Sequence, residues 1–245
     1  MVPALEEILA ATKSMVFFGG AGVSTESGIP DFRSVDGLYH QKFKYPPETM
    51  LSHTFYETHT AEFFDFYRQK IIVHGAKPNA AHLRLAALER EGKCRAVVTQ
   101  NIDGLHQPRA ARPCMSCTAR PCATTVRGAA NSSRCSSLRM RRRRRRRAPL
   151  RRVRRHRQAR CCALRGGAGR GDDGKTPSHA IRGADTLIVG GTSLAVYPAA
   201  GLLRYFRGEN LVVINKQPTP ADAMANLLIH APIGRTLDPD APVEV

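Results

Sequence analysis

Four short runs of apolar residues stand out along the chain, and none of them contains a charged residue. They are Met15–Phe18, Ala96–Val98, Thr186–Val189 and Leu211–Ile214. Each run is followed by glycine or polar residues, a pattern typical of a buried parallel strand whose next loop faces a ligand. The sequence therefore predicts an α/β fold with a parallel sheet. Ligands of such sheets bind beyond the carboxyl ends of the strands, so we expect the functional site there.

The first apolar run leads directly into a glycine-rich loop, Gly19–Arg33. Glycine has no Cβ, so a pyrophosphate can approach backbone N–H groups and the start of a following helix. A glycine-rich turn alone is weak evidence, since many α/β proteins turn in this way without binding anything. The end of the loop, Ile29–Arg33, adds a rigid proline turn, a carboxylate, an aromatic ring and a guanidinium. This combination favours a dinucleotide site over a structural connection.

Polar segments also follow the other three predicted strands. They are Thr99–Gln107, Gly190–Leu194 and Asn215–Lys216. The glycine-rich loop matches every fixed position of the pattern Gly-Ala-Gly-x-Ser-x-x-x-Gly-Ile-Pro-Asp-Phe-Arg, and the other segments follow it in the same order as in the sirtuin family. The chain thus resembles the sirtuins, NAD-dependent protein-lysine deacylases, over both of its flanks.

The resemblance implies a doubly wound, Rossmann-like parallel sheet that carries a helical insert. The sheet domain would be built from residues 1–37, 76–107 and 175–245. The insert would occupy 38–75, where it helps to form the acyl-lysine channel. Its aromatic run Phe63–Tyr67 is typical of the apolar face of a helix.

The activity implied by the resemblance is transfer of an acyl group from a protein lysine to NAD. The acyl carbonyl oxygen attacks the ribose C1′ as nicotinamide leaves, and a histidine base then activates a ribose hydroxyl. The products are nicotinamide, the deacylated lysine and an O-acyl-ADP-ribose, so acetylated or acylated protein lysines are the expected partners. Asn101 and Asp103 would have catalytic roles. The positions that would bind NAD share the family motifs: Gly20, Ala21, Gly22, Ser24, Asp31, Phe32, Arg33, Gln100, Asn101, Ile102, Asp103, Gly191, Thr192, Ser193 and Asn215.

The net charge of +18 changes this picture for one segment, 108–174. Arginine is concentrated there, and Arg141–Arg147 is an unbroken run of arginines. A block of like charge cannot bury a core and is expected to be disordered, and it would bind nucleic acid non-specifically by releasing counterions. The alternative function is a catalytically inactive NAD-binding remnant with a basic insert that binds polyanions.

A simpler interpretation of this segment is that it is translated from the wrong reading frame. In the sirtuin pattern Gln107 is followed by a strand, by Leu-His-Gly, whose histidine is the general base, and by two Cys-x-x-Cys pairs that hold zinc. None of these is present in frame. Back-translation from the third base of each codon after Gln107 permits Glu-Leu-His-Gly and one Cys-x-x-Cys, and the middle base across Ala148–Arg170 permits the second pair. We therefore expect three single-base losses: after Gln107, in the arginine-rich stretch, and between Asp173 and Ile181.

We assign no metal ion to the cysteines that this reading frame encodes. Zinc is expected for the family, but its cysteine ligands are absent in this frame. Cys114 and Cys117 have zinc-knuckle spacing without a second pair after them. Cys94 is expected to be a small buried residue before its strand.

Among the histidines, four fall in amphipathic helical stretches and are expected to be surface or packing residues: His53, His59, His74 and His82. His106 lies beside the proposed cofactor loop but is not the base in the family pattern. No run is apolar enough to span a bilayer, and Glu6 and Glu7 do not fit a signal peptide, so we expect a cytoplasmic protein without a membrane partner.

Overall fold

The structure, a computed structural model, describes residues 2–73, 75–106, 115–116 and 176–241. Its strands are β1 (Met15–Gly19), β2 (Cys94–Thr99), β3 (Met115–Ser116), β4 (Thr186–Gly190), β5 (Asn210–Ile214) and β6 (Leu227–Ile229). They form one parallel sheet in the order β3-β2-β1-β4-β5-β6. The four apolar runs of the sequence thus become β1, β2, β4 and β5, as predicted.

The order in which successive strands are added to the sheet changes direction between β1 and β4. Chain order runs outward from β1 through β2 to β3 on one side, and from β4 through β5 to β6 on the other. This order is that of the doubly wound dinucleotide-binding sheet, in which ligands bind at the reversal point. The Rossmann-like expectation is therefore confirmed.

Helices cover both faces of the sheet. The helices of the described residues are α1 (Pro3–Ala11), α2 (Pro47–Met50), α3 (His53–Thr58), α4 (Thr60–Phe66), α5 (Ala80–Arg90), α6 (Pro177–Arg182) and α7 (Ile233–Leu237), and those on the sheet are α1, α5, α6 and α7. Because alternate residues of a strand point to opposite faces, Met15 and Phe17 of β1 pack with α1, α5 and α7, whereas Val16 and Phe18 pack with α6. All five residues of β1 are buried, as the central strand of such a fold requires.

The segment between β1 and α5 forms a separate aromatic cluster. α2, α3, α4 and a π-helical turn at Tyr67–Ile71 contribute to it, and the fully packed members include Phe55, Phe63 and Phe66. A helix is present at Phe63–Phe66, as the aromatic run predicted. Phe32 from the glycine-rich loop and Ile102 from the loop after β2 also pack against this cluster, so it adjoins the carboxyl ends of β1 and β2.

Most of segment 108–174 lies outside the described residues, including the arginine run, Cys114, Cys117 and the expected zinc module. We expected no strand there. Met115 and Ser116 nevertheless pair in parallel with Val98 and Thr99 of β2, which corrects that expectation for these two residues. No helix in the described parts of the chain is long and apolar enough to cross a membrane.

Candidate functional site

Two glycine-rich loops interlock where the sheet reverses direction. Beyond β1, the N–H of Gly20 donates to the carbonyl of Gly190 at 3.2 Å, and that of Gly22 donates to the carbonyl of Gly191 at 2.8 Å. Gly191 has a φ of +56°, and a Cβ there would lie 2.4 Å from the backbone nitrogen of Val23. Only glycine meets both conditions, because other residues rarely adopt this conformation and would overlap the facing backbone.

Three polar side chains meet beside these loops. The hydroxyl of Ser24 donates to Oδ2 of Asp103 at 2.7 Å, and Nδ2 of Asn101 donates to the hydroxyl of Ser24 at 3.1 Å. The other carboxylate oxygen, Oδ1 of Asp103, accepts from the N–H of Leu105 at 2.8 Å. The loop after β2 thereby presents a carboxylate and an amide to the loop after β1.

Gln100 connects the loop after β2 to the loops that follow β1 and β4. Its N–H donates to the carbonyl of Gly19 at 3.1 Å, and its Oε1 accepts from the hydroxyl of Thr192 at 3.5 Å. Thr192 Oγ1 in turn accepts from the N–H of Leu194 at 3.2 Å. Hydrogen bonds therefore join the motif residues of all three loops at the carboxyl ends of β1, β2 and β4.

The far end of the first loop folds toward the aromatic cluster. Oδ1 of Asp31 accepts from the N–H of Ser34 at 2.9 Å, and the Phe32 ring lies 5.6 Å from that of Tyr39. The Arg33 guanidinium lies over Tyr39, 5.6 Å from its ring centroid. These three motif residues lie against the segment of the aromatic cluster, and no hydrogen bond between them and Asp103 is observed within the described residues.

Two of the predicted positions lie apart from this network. Asn215 follows β5, and its Nδ2 donates to the carbonyl of Gln217 at 2.7 Å, so it organises its own turn. Ser193 is exposed, next to the buried Thr192. Both are nonetheless at the carboxyl ends of their strands, on the same edge of the sheet as the other loops.

Two buried histidines lie behind the polar network. His82 is 3% exposed and His106 is 6% exposed, and their ring centroids are 4.5 Å apart. Burial lowers the pKa of His82 to about 4, against the opposing effect of the negative charge on Asp103. Burial, together with His82, lowers the pKa of His106 to about 3. The two rings are therefore neutral at physiological pH.

Sequence reasoning placed His82 among surface or packing residues and did not connect it with the site. The structure shows that it packs, and that it also acts electrostatically with Asp103. One signal was present in the sequence. Asn79 and His82 have the spacing of a helix N-cap and its third residue, and they form a capping box at the start of α5.

The residues at this edge fit the chemistry of NAD. The hydroxyl, amide and carboxylate groups gathered there are of the kinds that can hydrogen bond to ribose hydroxyls and to a carboxamide, and glycine loops of this kind can leave backbone N–H groups accessible to a pyrophosphate. The buried Oγ of Ser27 and Nε2 of His82 have no hydrogen-bond partner among the described residues. Two polar atoms beside the loops are therefore available for a further hydrogen bond. Within the described ranges no group of His, Cys, Asp or Glu is placed to hold a metal ion.

Similarity to known proteins agrees with this geometry. The NAD-dependent protein deacetylase of Clostridium acetobutylicum is 46% identical over 247 residues, covering 96% of this chain and 95% of the relative. That of Cutibacterium acnes is 45% identical over 238 residues, covering 91% of each.

Solved structures give the same result. A Sir2 enzyme superposes with a TM-score of 0.72 at 29% identity, covering 96% of this chain and 94% of that chain. A Sir2 homologue in complex with ADP-ribose has a TM-score of 0.71 at 26% identity, with coverage of 97% and 94%. A model of the Sir2 family matches residues 20–198. The chain belongs to the Sir2 family.

Proposed function

We propose that the protein is an NAD-dependent protein-lysine deacetylase of the sirtuin type. The observation that carries this function is the hydrogen-bonded set of Asn101, Ser24 and Asp103 at the reversal point of a doubly wound sheet. Relatives that are 36–46% identical over most of the chain are NAD-dependent protein deacetylases. One Sir2 structure contains a p53 peptide together with NAD+, and another contains a deacetylated p53 peptide with 3'-O-acetyl-ADP-ribose, which supports an acetylated protein as the substrate.

The residues that would hold NAD lie on the interlocked loops. Gly20, Ala21, Gly22 and Ser24 would meet the phosphates and the nearby ribose, because this loop presents backbone N–H groups without bulky side chains. When bound, NAD supplies an electrophilic ribose carbon and a nicotinamide leaving group. Further residues are proposed by position: Asp31, Phe32 and Arg33 on the nicotinamide side, Gly191, Thr192 and Ser193 as another wall, and Asn215 near the adenosine ribose.

The loop after β2 would orient the reacting end of the dinucleotide. Asp103 can accept the N–H of a carboxamide, and its position is maintained by the Ser24 hydroxyl and the N–H of Leu105. Asn101 would bind a ribose hydroxyl, with Gln100 and Ile102 completing the loop. Ile102 also packs against the aromatic cluster, whose apolar side chains would exclude water from the acyl group.

The general base and the zinc ligands are proposed to be encoded in the alternative frames of 108–174, a segment that lies almost entirely outside the described residues. A base must reach the proton that it removes, so the Leu-His-Gly context matters for turnover. The decisive assay measures nicotinamide release that depends on an acetyl-lysine peptide, with the chain as written and with the frame-corrected chain. We expect the corrected chain to be the more active, with reactions lacking peptide as the control. Absence of release from both chains would refute the proposed function.

A second candidate function rests on the charge of the same segment. The chain has 38 Lys and Arg residues against 20 Asp and Glu residues, and the excess is concentrated around Arg141–Arg147. If this frame is the one expressed, the chain would bind NAD and polyanions without turnover. Retention on DNA that decreases steeply with salt, combined with no peptide-dependent nicotinamide release, would favour this candidate.

A further inference from the structure

The imidazole of His106 lies against a second buried imidazole, that of His82. The ring planes of His106 and His82 are inclined by 48° with centroids 4.5 Å apart, and Phe17 of β1 lies 6.0 Å from His106. Nε2 of each histidine is buried without a hydrogen-bond partner among the described residues. The two rings are therefore in contact with each other and buried together.

The orientation of the His82 ring is set by the start of α5. Its Nδ1 lies 2.8 Å from Oδ1 of Asn79, the N-cap residue of that helix. Asn79 in turn donates from Nδ2 to the carbonyl of Val23 at 2.7 Å, which ties the helix to the glycine-rich loop. His82 is thus held between the first loop, through Asn79, and the loop after β2, through the covering ring of His106.

The electrostatic environment of the pair is simple. From the loop after β2, the carboxylate of Asp103 raises the pKa of His82, although burial has the larger effect and lowers it. From α5, His82 lowers the pKa of His106. β1 contributes the uncharged ring of Phe17, and the N-cap contributes the uncharged amide of Asn79. Desolvation therefore outweighs a nearby negative charge, and it depends on His82 remaining covered.

We propose that His106 is a positioning residue of the NAD site, whose ring keeps water away from His82 so that His82 stays neutral and Asp103 remains the partner of Ser24. The inference rests on the proposed function in one respect, the assignment of the Ser24 and Asp103 pair to NAD binding. If water reached His82, its ring could be protonated, and the positive charge would attract the carboxylate of Asp103. The hydrogen bonds from Ser24 to Asp103 and from Asn101 to Ser24 would then be weakened.

Two variants of the full chain distinguish the effect of the aromatic ring at position 106 from the effect of its titratable nitrogens. His106→Phe keeps an aromatic ring over His82 and removes the second titratable group, whereas His106→Ala removes the cover. Nuclear magnetic resonance of the imidazole signals gives the titration midpoint of His82 without any nucleotide. We expect the midpoint in His106→Phe to stay close to that of the wild type, and the midpoint in His106→Ala to rise by about one pH unit or more.

Affinity for NAD gives the functional readout. We expect His106→Ala to bind NAD about as well as the wild type near pH 8, and about threefold more weakly near pH 4.5, where a His82 midpoint one unit higher leaves about a quarter of the His82 rings neutral instead of about three-quarters. His106→Phe should show no such pH-dependent loss. A purely structural role for His106 would instead weaken binding equally at both pH values.

Several outcomes would overturn the proposal. They are a His82 midpoint near 6.5 in the wild type, the same midpoint in His106→Ala as in the wild type, or the same rise in both variants. If His106→Ala does not fold, His106→Val takes its place, because it fills part of the site and leaves His82 partly uncovered; an unchanged His82 midpoint in His106→Val would overturn the proposal. If the midpoints move as expected but the wild type binds no NAD, the shielding role stands and the assignment of the pair to NAD binding fails.

Discussion

The hydroxyl of Ser24 and the carboxylate of Asp103 are joined by a hydrogen bond of 2.7 Å although 79 positions separate them in the chain. Ser24 belongs to the loop after β1 and Asp103 to the loop after β2, two strands that are parallel neighbours. Their carboxyl ends consequently meet at one edge of the sheet. A bond between a hydroxyl and an ionised carboxylate is charge-assisted and so stronger than a neutral one.

Asp103→Ala should weaken nicotinamide exchange. The substitution removes the acceptor that we assign to the carboxamide and leaves the Ser24 hydroxyl and the Leu105 N–H without their partner. Loss of hydrogen bonds to a charged group costs about 1.5–3 kcal/mol, so we expect a decrease of about tenfold or more. Exchange of labelled nicotinamide into NAD by the frame-corrected chain measures it, and Asp240→Asn, at an exposed position, is the control. Unchanged exchange would refute the role of Asp103.

Gly191→Ala should both destabilise the protein and abolish NAD binding. Alanine would be strained at a φ of +56°, and its Cβ would lie 2.4 Å from the nitrogen of Val23 in the facing loop. Gly92→Ala is the matched control, since Gly92 has a φ of +79° and the Cβ of an alanine there would have nothing within 4 Å. We expect the control to cost about 1 kcal/mol, and Gly191→Ala to cost about 1–3 kcal/mol more because of the overlap. Equal urea midpoints for the two variants would contradict the close approach of the loops.

Glu26→Gln should loosen the first loop from the C-terminal helix. The carboxylate of Glu26 accepts from the N–H of Gly234 at 2.5 Å and from that of Arg235 at 3.1 Å, at the start of α7. Glutamine keeps one acceptor oxygen and turns an NH2 group toward the second donor, so we expect a loss of about 1 kcal/mol in unfolding free energy. Glu7→Gln, on the exposed side of α1, should change the urea midpoint little. Equal shifts in the two variants would show that the bonds to α7 contribute nothing.

Acid should destabilise the protein through the two buried histidines. Their folded-state pKa values, about 4 for His82 and about 3 for His106, lie below the unfolded value of 6.5, so the unfolded state binds more protons. Their full contribution is therefore present above about pH 6.5 and is lost as the pH falls toward 4 and 3, by up to about 1.4 kcal/mol per pH unit for each group. Urea unfolding at pH 7.5, 6 and 5 measures this loss. His106→Phe should lose less over the same range, and an equal loss would contradict the prediction.

Resequencing of the gene should reveal three extra bases, one just after the codon of Gln107, one in the arginine-rich stretch and one between the codons of Asp173 and Ile181. The corrected frame should restore Leu-His-Gly and two Cys-x-x-Cys pairs, so that the chain binds about one zinc ion, measured by elemental analysis. The folding free energy of a structural zinc site should also raise the thermal midpoint above that of the chain as written. A confirmed uninterrupted frame that encodes Arg141–Arg147 would overturn the hypothesis.

The burial of each strand was predictable because it is a local property. Met15–Phe18 is apolar at every position, which is required of a strand covered on both faces, and the structure buries all of these residues. Cys94 was likewise predicted to be buried, and it is fully buried at the start of β2. The contact of His82 with His106 was not predicted, because helical periodicity shows which face of α5 turns inward but not which side chain from another loop will meet it.

The sequence by itself determined the buried strands, the glycine and polar loops that follow them, and, through their motifs, the resemblance to NAD-dependent deacylases. Only the tertiary structure decided that Gly22 meets Gly191, that Ser24 bonds to Asp103, and that His106 lies against His82. The reason is that strand formation depends on neighbouring residues, whereas these contacts depend on the order of strands in the sheet. With β2 and β4 on either side of β1, loops distant in sequence are brought to the same edge and into hydrogen-bonding distance.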